Sequence, residues 1–145
     1  MLYLVAAATA LLTPATSEIV HRERVEHAGT AYDIHYSPQL ETSAKTVGAA
    51  AGTRASQQKC RWKITVNARR EISNAGRGAP LVKVLPERRS LTGETFGDCR
   101  HNVAAVQKAQ AARMGEVRQI MQAFAQADRP HVGMDIDAAH ALAAN

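Results

Sequence analysis

Four side chains near the C-terminus, His131, Asp135, Asp137 and His140, are of the types that hold a divalent cation. On a helix, Asp137 and His140 would share one face at i and i+3. Short Asp-x-Asp stretches serve equally as helix caps and solvated tails, so no metal or other cofactor is expected. The remaining histidines are His21, His27, His35 and His101, and none sits in a zincin or nucleophile motif. His27 and His35 flank a candidate hairpin beside Glu26 and Asp33 and read as exposed polar positions. A Gly-x-Ser-x-Gly elbow is absent. No catalytic residue is assigned, and the chain is expected not to be an enzyme. The alternative is a small extracellular hydrolase or metal-dependent enzyme built on His131, Asp135, Asp137 and His140.

The two cysteines, Cys60 and Cys99, are too far apart for a CxxC redox motif and lack the flanking ligands of a zinc site. In an oxidising compartment an even pair is expected to form a disulfide. In the chain-entropy model, closing that loop stabilises the fold by about 4 kcal/mol.

Positive charge is concentrated in one stretch. Residues 54–89 hold ten basic side chains (Arg54, Lys59, Arg61, Lys63, Arg69, Arg70, Arg77, Lys83, Arg88, Arg89) against Glu71 and Glu87, a local charge of +8 in a chain whose net charge is +5. If this stretch forms a hairpin, Arg61, Lys63, Arg69, Arg70, Arg77 and Lys83 are expected to make a basic face that attracts polyanions. The few aromatics, Trp62 and the strand tyrosines among them, are better used in a core than as base-stacking platforms. No nucleic-acid-binding signature appears, so no evolved nucleic-acid binding is expected.

The elements that must position these groups follow from periodicity. Tyr32, Ile34 and Tyr36 alternate with Asp33 and His35, the pattern of a half-buried strand. A weaker alternation over residues 19–27 and the turn at Ala28-Gly29-Thr30 make it one arm of a hairpin, and Pro38 is expected to end the second arm. Residues 42–58, small and polar, read as a flexible loop. Cys60, Trp62, Ile64 and Val66 form the inward row of the best strand, with Arg61, Lys63 and Thr65 outward. After a turn cluster over residues 74–80, residues 81–85 return as a strand that Pro86 closes or bulges. A short further strand is read around residues 90–92.

From Asp98 the period changes. Val103, Val106, Gln110, Met114, Val117, Ile120, Met121 and Phe124 mark one amphipathic helix, capped by Asp98 or Asn102, weakened in its middle by Gly115 and ending near Asp128 before Arg129-Pro130. Residues 131–145 are read as a tail with at most a turn or two of helix. Strands followed by a helix define an α+β fold: a small antiparallel sheet of about four strands packed by one long C-terminal helix.

The first residues suggest where this domain works. An apolar run to Leu12 precedes Pro14, Ala15 and Ser17, the layout of a signal peptide over residues 1–17, although no Lys or Arg precedes Arg22. The run is too short to span a bilayer. The expectation is therefore a periplasmic or secreted protein, residues 18–145 forming one domain without a membrane span. Its basic face would bind an anionic envelope polymer such as lipopolysaccharide or teichoic acid, or an acidic lipid head group. An inhibitor or accessory module docking on another exported protein through residues 42–58 is the further alternative.

Overall fold

In the computed structural model, residues 21–49, 57–75 and 77–144 are described. The signal-peptide expectation lies outside them. β1 (His21–His27), β2 (Thr30–Val47), β3 (Lys59–Asn74) and β4 (Arg77–Phe96) form an antiparallel sheet in the order β1-β2-β3-β4. Two helices follow, α1 (Val103–Ala111) and α2 (Met114–Ala143). The α+β arrangement with a long C-terminal helix is the one anticipated.

The first hairpin is tight because its loop has the right backbone. Ala28 and Gly29 both take positive φ, 49° and 75°, as a two-residue turn matched to strand twist requires. The register that this turn sets, His27 opposite Thr30, places Tyr32, Ile34 and Tyr36 on one face, where all three are buried. Opposite them on β3, the inward row runs without a break through Cys60, Trp62, Ile64, Val66, Ala68, Arg70 and Ile72. Onto this face α2 lays Val117, Met121, Phe124, Ala125, Val132 and Ile136, one stripe at helical spacing.

The strands are longer than periodicity suggested. β2 does not stop at Pro38 but continues to Val47, so residues 42–47 belong to a strand rather than a flexible loop, while 50–56 lie outside the described residues. Pro38 is tolerated because of where it sits. It opposes Ala68 at a position where β2 exchanges no hydrogen bonds with β3, so that ladder does not need the missing N–H. The segments at 81–85 and 90–92 are parts of one strand, β4. Pro86 lies in an irregularity where residues 85–87 oppose only Ala68, which is the bulge form of the expectation.

The helix also departs from its sequence reading at both ends. It is interrupted at Ala112 and Arg113, so Gly115 falls in the first turn of α2 rather than mid-helix. Val103 is exposed. Pro130 does not end the helix, and residues 131–143, read as a tail, are its last turns. The burial of Val132 and Ile136 beyond the proline explains this, since apolar packing offsets the backbone bond that Pro130 removes.

Cys60 and Cys99 are disulfide-bonded. The link ties the start of β3 to the turn before α1. There Asp98 accepts hydrogen bonds from Thr46 Oγ1 and the Arg100 amide, both at 2.9 Å. The Arg100 amide, then the Thr46 hydroxyl, hold the Asp98 carboxyl below its ordinary pKa. Asn102 occupies the N-cap position of α1, yet its side chain makes no cap bond and donates instead to the Asp98 carbonyl.

Candidate functional site

Strand parity divides the six residues expected on one basic face. Arg61, Lys63 and Arg69 point away from the helices, in line with Thr65 and Glu71. Arg70 must point the other way. It is wholly buried, donating from Nη1 to Asp128 at 2.7 Å and from Nη2 to Asp135. Lys83 is paired across the sheet with Arg70 and so shares its side, bonding Asp135 at 2.9 Å. Arg77 opposes Asn74 and lines a small cavity of about 160 Å³ on that same side, with Tyr32, Ile136 and His140. Three of the six therefore belong to the sheet–helix seam, and the expected face loses them.

The seam is a charged network inside an apolar interface. Asp128 accepts from Arg70 and from the Tyr36 hydroxyl at 3.1 Å. Burial, and then the neighbouring Asp128 charge, push the Tyr36 phenol well above its ordinary value. Burial works against the Arg70 cation, but its bonds to Asp135 and Asp128 prevail and raise its pKa. The Asp135 carboxyl is held low, first by its bond to Arg70.

The residues considered for metal chemistry are drawn apart by the same seam. Asp135 serves Arg70 and Lys83, Asp137 accepts from or shares a proton with His27 at 2.6 Å, and His140 faces the Tyr32 hydroxyl at 3.3 Å. His131 is exposed. Among the described residues no cluster of three metal-ligating side chains forms. His35 lies on the outward face, opposite Glu71.

What remains of the basic face is concentrated at the far end of the sheet. Lys45 of β2, missed at the sequence level because its segment was read as loop, stands directly opposite Arg61. Ser43 and Thr92 flank Lys63 on either side. Lys45, Arg61 and Lys63, with Ser43, Ala44, Trp62 and Thr92, line a groove of about 330 Å³. Glu94 accepts from Arg61 at 2.8 and 3.0 Å and from Lys59 at 3.4 Å. The Arg61 bond, and then the Lys59 bond, lower its pKa. Lys45 and Lys63 have no ion-pair partner among the described residues. Arg69 lies further along the outward face and pairs with Glu71 at 3.6 Å.

Like charges placed directly opposite on neighbouring strands destabilise a sheet. Of four cations at this end, Lys45, Lys59, Arg61 and Lys63, two are bonded to Glu94, and Glu41 lies diagonal to Lys63 on the same face. Such an arrangement can receive an anion, whose charge would relieve the repulsion. No family model, no curated protein and no solved structure matches the chain. No described helix is long and apolar enough to cross a membrane.

Proposed function

We propose that the protein is an exported, non-enzymatic binding module whose outward sheet face takes an anionic component of the cell envelope. The observation that carries this reading is the groove where Lys45 and Arg61 oppose one another and Lys63 adjoins them, Lys45 and Lys63 having no ion-pair partner among the described residues. The ligand class is a polyanion, phosphorylated or carboxylated, because spaced cations on an open groove complement a repeating charge better than a small buried one. Export is supported by the apolar leader-like run and by the Cys60–Cys99 disulfide, which persists in oxidising compartments.

The test uses heparin and anionic liposomes as polyanion probes. Retention should fall with salt, because exposed charges are screened beyond about 10 Å at 0.1 M. The Lys45→Glu/Lys63→Glu variant should lose retention, while Lys83→Glu, on the opposite side of the sheet, should keep it. Equal retention of the wild type and the Lys45→Glu/Lys63→Glu variant rejects this face. Export is tested separately by the intact mass from the extracytoplasmic fraction, which should lack residues 1–17.

A further inference from the structure

β4 is an outer strand of the sheet, and its two halves are built differently. The first half carries Pro80, Pro86, the irregularity opposite Ala68, and Lys83 turned to the helix side. These are the devices that keep an open edge from pairing with another chain. The second half, from Arg88 onward, is regular against β3 and carries no proline.

The register determines which peptide groups of that half are open. In an antiparallel ladder, opposed residues alternate between exchanging both hydrogen bonds and exchanging none. Gly97 N donates to Gln58 O at 2.8 Å, on the β3 side. Counting back, Arg89, Leu91, Gly93 and Thr95 bond to β3, whereas Arg88, Ser90 and Thr92 turn their N–H and C=O groups outward. The Thr92 carbonyl accordingly accepts from Arg113 Nη1 at 3.2 Å, a donor from outside the sheet.

Arg113 thus closes one end of an open edge, and the irregularity at 85–87 closes the other. Between them lies a groove of about 500 Å³ bounded by residues 88–91 of β4 and by the flank of α2 carrying Glu116, Gln119, Ile120 and Ala123. Leu91 and Ile120 pack against the core and supply an apolar floor. Glu116 is taken up by Arg113. Arg88 and Arg89 have no ion-pair partner among the described residues.

We propose that this groove binds a short, extended acidic segment of another protein, added to β4 as a fifth strand. The Ser90 and Arg88 peptide groups would supply the ladder bonds, and alternate side chains of the segment would face the apolar floor, which Arg89 shares with Leu91, and the Arg88 side chain on the outward face. At about 3.3 Å per residue the open edge accommodates roughly three to five residues. The site is separate from the outward groove around Lys63, so either can fail alone.

A capped five-residue peptide alternating valine and glutamate serves as probe, with a valine–lysine peptide as control, and amide hydrogen exchange as readout. At about 1 mM glutamate peptide, exchange at Arg88 and Ser90 should slow at least tenfold, with no effect of the lysine peptide. Ser90→Pro removes an outward N–H without touching the β3 ladder, so it should stay folded and lose the peptide. Arg88→Glu/Arg89→Glu should weaken binding at least tenfold and decides the matter should the proline variant unfold. Lys63→Glu should bind as the wild type. Unprotected amides at Arg88 and Ser90, or equal binding of both peptides, would overturn the proposal.

Discussion

Arg70 Nη1 lies 2.7 Å from Asp128 Oδ2 with both side chains withdrawn from solvent, and this pair joins the centre of the sheet to the middle of α2. A charge so placed depends on its partner more than on its surroundings. Truncating one member leaves the other buried and uncompensated, which costs about 3–5 kcal/mol, whereas replacing both with apolar groups is far milder. Arg70→Met and Asp128→Leu should each destabilise by that order in urea unfolding. The double variant should lose clearly less than their sum, whereas full additivity would show the two groups to be uncoupled.

The same seam predicts acid sensitivity. Asp135 has a folded pKa depressed by Arg70, so it binds its proton less readily folded than unfolded. Its contribution to stability is present above the ordinary carboxylate range near pH 4 and is lost as pH falls through the lowered value. Asp135→Asn should flatten the decline of stability below about pH 4 while lowering stability at neutral pH. An unchanged acid limb would detach Asp135 from it.

At the alkaline end the sign reverses for Tyr36. Its phenol is raised above the ordinary tyrosine value near 10, so the folded state holds its proton longer than the unfolded chain. Stability from this group is complete below pH 10 and declines above it. In spectrophotometric titration, the Tyr36→Phe variant should lose none of the phenolate signal that appears near pH 10 in the folded protein.

Gly93 has a steric role. A Cβ added there would lie 2.1 Å from the Trp62 ring, a contact that neither the sheet backbone nor a buried indole can relieve cheaply. Gly93→Ala should cost about 1–3 kcal/mol and shift the fluorescence of Trp62, the single tryptophan. Wild-type stability with an unshifted spectrum would show that the ring moves aside freely.

Reduction of the Cys60–Cys99 disulfide should lower stability by about 4 kcal/mol. Denaturation with and without reductant measures it, and thiol labelling should occur only after reduction. The Cys60→Ala/Cys99→Ala variant should match the reduced protein to within the cost of its lost sulfur packing.

By itself the sequence determined the strand at 60–66, the first hairpin and the helical stripe through Phe124. Each rests on a local period, cleanest at 60–66, weaker in the first arm of the hairpin and carried across the break at Ala112 and Arg113 in the helical stripe. The two cysteines were sufficient to anticipate their link. Adjacent Arg69 and Arg70 also had to part company on any strand, and extending the Cys60–Val66 alternation by two more steps would have turned Arg70 inward. That step was hidden because an arginine does not announce a core position. Only the tertiary structure supplies the carboxylates of Asp128 and Asp135, 58 and 65 residues further along the chain, that make its burial tolerable. The continuation of β2 past Pro38 and of α2 past Pro130 was likewise decided by position in the assembled fold. A proline marks a break when its missing N–H is needed, and here one stands where the β2–β3 ladder needs no donor while the other is offset by packing of Val132 and Ile136.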